Sequence, residues 1–241
     1  MPLKRSALKL DFSLLNNASE SEKKPVLPVG SYLKTHFDSL HREVMQSAYY
    51  HLRDELNPPD YKALSECGFS SVSHGFHLSN NGGDVFIHAR RDIPRFSGGY
   101  EGDKFHISVQ ESQLSEAVQV LSGALFSNNN PCDKWKITDI ARADPGSRVR
   151  VGAQITLYVR PDQATAPYHA QMLSEIRQFT GLLDSRLTEA GIMQGEHPAS
   201  DIRPPQWKFV SYRNEIISGR DGSDIEHQRL SESPFYRLMT E

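Results

Sequence analysis

The sequence predicts an α+β fold: a single domain with a twisted, largely antiparallel sheet flanked by helices. Short alternating segments, which are typical of strands, are mixed with amphipathic helical segments along the chain. They do not follow the strict strand–helix alternation that a parallel sheet requires. The chain has 241 residues, of which 37% are hydrophobic, and this suits one domain with a sizeable core.

The first 30 residues differ in character from the rest. The segment Asn16–Pro25 is polar, and Pro28 and Gly30 follow it. A polar stretch with few bulky apolar side chains cannot bury enough surface to fold alone. We therefore expect residues 1–30 to form a flexible arm and residues 31–241 to form the folded domain.

Apolar residues at helical spacing predict three helices. The first begins near Phe37 and continues toward Leu52, and Pro58-Pro59 stop it. The second covers residues 114–125, and the third runs from Met172 to a stop at Gly191.

Alternating and β-branched runs predict the strands of the sheet. The longest run covers residues 148–160 and places Ile155 and Leu157 on one face, with Arg148, Tyr158 and Arg160 on the other. The remaining predicted strands are residues 84–88, 104–109, 134–140 and 207–212.

Two of these strands begin with a charged–aromatic–charged pattern. These segments are Asp103-Lys104-Phe105-His106 and Asp133-Lys134-Trp135-Lys136. Because strand side chains alternate between faces, Lys104 and His106 lie on the same face of their strand, and Lys134 and Lys136 lie on the same face of theirs. Two strands that point lysines and a histidine the same way predict an anion site and a centre for proton transfer.

Further basic residues extend this cationic set. Arginine binds phosphate through two parallel hydrogen bonds, which suits a dianion. A lysine crowded by cations and desolvated beside Trp135 would lose its proton more easily; lowering its pKa from about 10.4 toward about 7 corresponds to about 4–5 kcal/mol. Such a lysine could act as a general base. The full set is Lys104, His106, Lys136, Arg148, Tyr158, Arg160, Arg213 and Arg220.

Several other function classes do not fit the sequence. The net charge of −3 gives no bulk basic surface for nucleic acid, and no apolar run reaches the roughly 18 residues of a membrane span. A secretory signal is not expected, because the N-terminus has no continuous apolar stretch. We therefore expect neither nucleic-acid nor membrane partners, and nothing in the sequence demands more than a monomer.

The cysteines and histidines do not predict a cofactor or metal site. Cys67 and Cys132 each lack the arginine six residues later that a cysteine phosphatase needs, so we expect reduced, inert thiols. His74 and His77 have no further ligands at metal-binding spacing, and His88 is expected to be packed or hydrogen-bonded at the surface. The glycine-rich segment 98–104 lacks the spacing of a nucleotide-binding loop. No cofactor and no metal are expected.

The arm carries a second basic signal. Lys4 and Arg5 are followed by a short spacer and then by Leu8 and Leu10. A basic pair followed by this apolar pattern matches the docking peptides that bind mitogen-activated protein kinases (MAP kinases). The arm is therefore a candidate kinase-docking segment.

At these motifs the sequence resembles the bacterial phosphothreonine lyase effectors of the OspF/SpvC family, which type III secretion delivers into host cells. The resemblance runs from about residue 31 to the end, while the arm keeps the docking pattern. The matching stretches are residues 84–91, 102–109, 133–136, 152–154, 156–158, 211–215, 218–222 and 234–241.

The resemblance implies a specific reaction. Members of the family remove phosphate from the phosphothreonine of the pThr-x-pTyr activation loop of dually phosphorylated host MAP kinases, of the ERK, p38 and JNK types. They do so by β-elimination, which leaves dehydrobutyrine and inactivates the kinase irreversibly. No metal or cofactor takes part.

The resemblance also implies residue roles. Lys136 matches the general base, and His106 matches the general acid that protonates the leaving phosphate. Phe86 matches an aromatic wall of the substrate groove. Arg160 stands where the family has a lysine that meets the phosphotyrosine, so the charge is kept but the geometry changes. The phosphate pocket is matched by Lys104, Arg148, Arg213 and Arg220, with Tyr158 lining it.

Two other functions remain open at the level of the residues. A non-catalytic phosphopeptide-binding module could mask the activation loop with the same arginine pocket, and it would not need Lys136 together with His106. A metal-independent phosphohydrolase would require a nucleophile or an activated water, and the sequence offers no candidate for either.

Overall fold

The computed structural model describes residues 29–95, 100, 102–159 and 168–241 of the chain. The predicted arm, its docking residues Lys4, Arg5, Leu8 and Leu10, and Arg160 therefore lie outside the described residues.

The described residues form helices and strands in mixed order. The helices are α1 (Val29–Thr35), α2 (Phe37–Gln46), α3 (Tyr61–Ser65), α4 (Leu114–Leu125), α5 (Arg148–Val151), α6 (Ala170–Glu189), α7 (Asp224–Ser231) and α8 (Pro234–Thr240). The strands are β1 (Ser71–Ser73), β2 (Phe76–Ser79), β3 (Phe86–Arg91), β4 (Asp103–Ile107), β5 (Lys134–Thr138), β6 (Ile155–Tyr158) and β7 (Val210–Asn214).

The strands form one sheet in the order β1-β2-β3-β5-β6-β4-β7, and all the neighbouring strands pair antiparallel. The predicted α+β class with a largely antiparallel sheet is confirmed. The sheet buries one face against helices, because its apolar residues and those of α4 and α6 belong to the same core cluster.

The alternation along β4 and β5 follows the sequence prediction. Phe105 and Ile107 of β4 and Trp135 and Ile137 of β5 are fully buried in the core. Lys104 and His106 therefore project from the opposite face, and so do Lys134 and Lys136. The apolar residues hold the register of these strands, because a slip by one residue would move every charged side chain into the core.

The prediction of one strand over residues 148–160 is wrong in its first half. Residues Arg148–Val151 form the short helix α5, and regular pairing begins only at Ile155. The chain enters β6 through Gly152, where a Cβ atom would lie 1.7 Å from the carbonyl oxygen of Glu196. This close approach requires glycine at the point where the chain passes from α5 into β6.

The first predicted helix is also shorter than expected. Helix α2 ends at Gln46, and no further helix forms before α3 begins at Tyr61. Met45, near the end of α2, is 54% exposed. The polypeptide beyond Gln46 is instead fixed by hydrogen bonds, such as the one from the Tyr50 backbone N–H to Gln178 Oε1 at 2.9 Å.

Among the described helices, none is long and apolar enough to cross a membrane.

We predict that Gly152→Ala destabilises the protein, because the added methyl group overlaps the backbone of Glu196. Overpacking of this kind typically costs about 1–3 kcal/mol. Urea denaturation measures the free energy of unfolding. Gly181→Ala is the control: a Cβ added there would meet no atom within 4 Å outside its own helix backbone, so this variant should be as stable as the wild type or more stable. Equal stability of the two variants would contradict the prediction.

Candidate active site

The charged face of the sheet forms the floor of a cavity of about 370 Å³. Strands, the short helix α5 and the polypeptide after β7 all contribute to its wall. The lining residues are Val85, Phe86, Lys104, His106, Lys136, Ser147, Arg148, Val149, Ala153, Thr156, Tyr158, Arg213, Glu215 and Arg220.

The cavity brings together all the predicted site residues that the structure describes. They come from segments far apart in sequence, and Arg148 reaches the cavity from helix α5 and not from a strand. These residues are Phe86, Lys104, His106, Lys136, Arg148, Tyr158, Arg213 and Arg220.

Strand register places the predicted acid and base on either side of one residue. Thr156 of β6 pairs with His106 of β4 on one side and with Lys136 of β5 on the other. Strands lie about 4.8 Å apart, so the backbones of His106 and Lys136 are separated by about 10 Å. This gap is wide enough to admit a substrate side chain between a proton acceptor and a proton donor.

Lys136 lies in an environment that favours its neutral form. Burial is the main cause that lowers its pKa from 10.5 to about 8. The negative charge of Asp84 raises the pKa, and the positive charge of Lys104 lowers it further. At pH 7, a pKa of about 8 leaves about a tenth of the amine uncharged, against about 0.03% for an ordinary lysine.

The aromatic group beside Lys136 is not the predicted one. Trp135 lies on the core face of β5, whereas the Lys136 Nζ atom lies 3.5 Å from the centre of the Phe86 ring. The aromatic neighbour of the Lys136 amine is therefore Phe86 of the adjacent strand β3. The alternation of the sequence assigned Trp135 to one face of its strand, but it could not show that Phe86 of β3 lies beside Lys136.

His106 is held by a buried carboxylate. Its Nδ1 atom lies 2.6 Å from Asp201 Oδ2, and Ser211 and Ser200 donate hydrogen bonds to the same carboxyl group. Although burial raises the pKa of Asp201, the charge of His106 and these hydrogen bonds bring it below its ordinary value. A carboxylate at Nδ1 orients the ring and leaves Nε2 as the atom available to a substrate.

Cations from β4, β7, α5 and the loop after β7 line one part of the cavity. Lys104 and Arg213 are cross-strand partners, and both are almost fully buried. Arg213 donates a hydrogen bond to the Gly219 carbonyl, but its buried Nε has no partner among the described residues. A buried donor without a partner is costly, so this atom points to a ligand that accepts its hydrogen bond. Arg148 and Arg220 line the same space.

A carboxylate also lies within this cationic cluster. Glu215, just after β7, forms an ion pair with Lys104 at 2.7 Å. Burial raises the pKa of Glu215, but the hydrogen bond and charge of Lys104 more than offset this and bring it below its ordinary value. Glu215 therefore stays ionised at neutral pH and partly balances the cations.

Sequence reasoning missed Asp201, Glu215 and Thr156. Thr156 and Glu215 belong to stretches that carry the family resemblance, but no chemical pattern distinguishes them there. Asp201 gives no local signal, because it lies 95 residues from His106 in sequence. Only the fold shows that it is the histidine's partner.

Cys132, His74 and His77, for which the sequence predicted no role in a site, do not line the cavity. Cys132 is fully buried, and burial raises the pKa of its thiol to about 12. The His77 Nε2 atom lies 2.6 Å from Asp92 Oδ1, and His74 is hydrogen-bonded to Ser73. In the described ranges, no group of three or more His, Cys, Asp or Glu residues could hold a metal ion.

Comparison with known proteins gives consistent matches along the chain. The profile of the OspF/SpvC family matches residues 2–241. The MAPK phosphothreonine lyase of Salmonella typhimurium is 46% identical over 241 residues, which cover all of both chains. The solved phosphothreonine lyase effector VirA of Chromobacterium violaceum is 52% identical, with a TM-score of 0.84 over 88% of this chain and 99% of that one.

A third relative is the type III effector and phosphothreonine lyase OspF of Shigella flexneri. Its solved structure is 45% identical, with a TM-score of 0.76 over 87% of this chain and all of that one. Full-length identity at this level, together with the shared fold, shows that the chain belongs to the OspF/SpvC family and is a lyase of the phosphothreonine lyase class.

Proposed function

We propose that this lyase removes phosphate by β-elimination from the phosphothreonine of a pThr-x-pTyr activation loop in dually phosphorylated host MAP kinases. The observation that supports it best is the arrangement of Lys136 and His106 on either side of Thr156, in a cavity that is also lined by Lys104, Arg148, Arg213 and Arg220. The product would be dehydrobutyrine, which cannot be phosphorylated again.

Binding of the phosphothreonine begins with charge. The phosphate carries roughly −1.5 to −2 at neutral pH, and Lys104, Arg148, Arg213 and Arg220 hold it through charge-assisted hydrogen bonds. The Arg213 Nε atom, which finds no partner in the described part of the chain, supports this step, because a phosphate oxygen would accept its hydrogen bond. Tyr158 lines the pocket and keeps its proton, since burial raises the pKa of its hydroxyl to about 12.

Lys136 then takes the proton from Cα of the phosphothreonine. The proton moves to the neutral amine, and the electrons of the broken C–H bond begin to form the Cα=Cβ double bond. The cations around the site stabilise the negative charge that develops on the peptide carbonyl and on the phosphate. A base with a pKa of about 8 combines a useful neutral fraction with enough basicity to react.

His106 completes the elimination. As the Cβ–O bond breaks, its electrons leave with the phosphate, and the protonated imidazole donates a proton to the departing oxygen. Asp201 supports this step, because its carboxylate stabilises the imidazolium and fixes the ring. No water attacks phosphorus, which distinguishes this reaction from hydrolysis.

The remaining proposals concern the protein substrate. Phe86 forms an aromatic wall of the groove, and Arg160 meets the phosphotyrosine. Residues 1–30 form an arm that docks the kinase through Lys4, Arg5, Leu8 and Leu10. The names of the Salmonella and Shigella relatives support a MAP kinase substrate and delivery to the host cell by a type III system.

We predict that Lys136→Ala abolishes turnover of a doubly phosphorylated Thr-x-Tyr peptide, with a loss of at least about 100-fold in kcat. Mass spectrometry of the product is the measurement. The wild type should release a peptide one water lighter than the threonine peptide. Lys134→Ala, on the same face of the same strand but outside the cavity lining, is the control and should lose far less activity. If the wild type released a threonine peptide, the reaction would be hydrolysis. If the wild type left the peptide unchanged, the protein would be a binding module.

We predict that deletion of residues 1–15 weakens action on an intact phosphorylated MAP kinase far more than on the short phosphopeptide. The reason is that the docking residues contact the kinase away from its activation loop. The ratio of the two kcat/KM values measures the effect. An equal decrease for both substrates would exclude the docking role.

We predict that Glu215→Gln increases the affinity for inorganic phosphate by about tenfold, which equals about 1.4 kcal/mol. The carboxylate that competes for Lys104 is then replaced by a neutral amide. Isothermal titration calorimetry measures the affinity, with the exposed Glu189→Gln as control. Unchanged or weaker phosphate binding would show that Glu215 does not compete with the ligand.

A further inference from the structure

An aspartate–histidine pair borders the cavity on the side of Lys136 and has no part in the reaction as proposed. Asp84 lies just before β3, and His88 lies within it. The His88 Nε2 atom is 2.9 Å from Asp84 Oδ2 and 3.1 Å from Oδ1. Both side chains are partly exposed, at 32% for His88 and 47% for Asp84.

This pair is tied to Lys136 through the sheet. His88 is the cross-strand partner of Lys136, so the two side chains are neighbours on the same face. Phe86, two residues before His88, places its ring 3.5 Å from Lys136 Nζ. Asp84 Oδ1 also accepts a hydrogen bond from the Phe86 backbone N–H at 2.9 Å. One carboxylate therefore fixes the beginning of the strand that supports the base.

The charges around Lys136 come from every element that borders the cavity. Cations predominate, and Asp84 and Glu215 are the carboxylates among them; of these two, Asp84 acts more strongly on Lys136. The groups are Lys134 on β5, Asp84 and His88 at β3, Lys104 and His106 on β4, Arg148 on α5, Arg213 and Glu215 at β7, and Arg220 in the loop after β7.

We propose that Asp84, held in place by His88, is a positioning residue that sets the pH at which Lys136 becomes a neutral base. This proposal rests on the assignment of Lys136 as the base. Cations alone would make the amine neutral but weakly basic, and a weak base transfers protons slowly. A carboxylate nearby restores part of the basicity.

The state of Asp84 supports this role. Burial raises its pKa, but the Phe86 N–H and His88 more than offset this, so the pKa lies below its ordinary value. Asp84 is therefore ionised throughout the range in which Lys136 titrates. Its negative charge favours the protonated form of Lys136 and raises the pKa of the lysine.

The test measures the protonation of Lys136 in the full chain without relying on turnover. Competitive acetylation over a range of pH, read by peptide mass spectrometry, reports the pH at which the Lys136 amine becomes reactive. We expect Asp84→Asn to move this inflection down by about one pH unit, a tenfold change in the ratio of neutral to charged amine. The acid limb of the kcat profile should move in the same direction, and the maximal rate should decrease.

Matched variants separate charge from structure. Asp84→Glu keeps the negative charge, so its Lys136 acetylation should show the same inflection pH as the wild type. Asp92→Asn removes a similar exposed carboxylate, paired with His77 at 2.6 Å but outside the cavity lining, and should change nothing. An unmoved inflection in Asp84→Asn, or an equal shift in Asp92→Asn, would overturn the inference. An active Lys136→Ala enzyme would instead overturn the proposed base, and the acetylation result would still stand.

Discussion

The site depends on one constraint, the antiparallel register of β5, β6 and β4. Core residues such as Trp135 and Phe105 are fully buried on one face, so neighbouring charged residues must project from the other. The same register sets Thr156 between His106 and Lys136. The distance between the proposed acid and base is thus fixed by packing on the far side of the sheet.

The electrostatics of the cavity serve two purposes at once. An excess of cations is required to hold a phosphate dianion, and the same excess helps Lys136 to lose its proton. Such a cluster is costly without its ligand. Glu215 offsets part of that cost at Lys104, and Asp84 does so near Lys136. Together with Asp201 at His106, these carboxylates partly balance the cations of the cavity.

The sequence predicted the parts of the site that obey a local rule. Alternation placed Lys104, His106 and Lys136 on the polar faces of their strands, and family resemblance separated Lys136 from Lys134. It failed where tertiary contacts override local preference. Arg148 lies in a short helix, and Gly152 directly after it packs against the backbone of Glu196; alternation carries no information about such a contact.

By itself, the sequence determined the fold class, the polar and apolar faces of the strands, and the family with its expected chemistry. Only the tertiary structure decided which strands are neighbours and which groups surround each titrating residue. The pairing of His106 with Asp201 and the packing of Phe86 on Lys136 join segments far apart in the chain. Periodicity reports the direction of a side chain, whereas the pKa of a group depends on its neighbours in space, which only folding brings together.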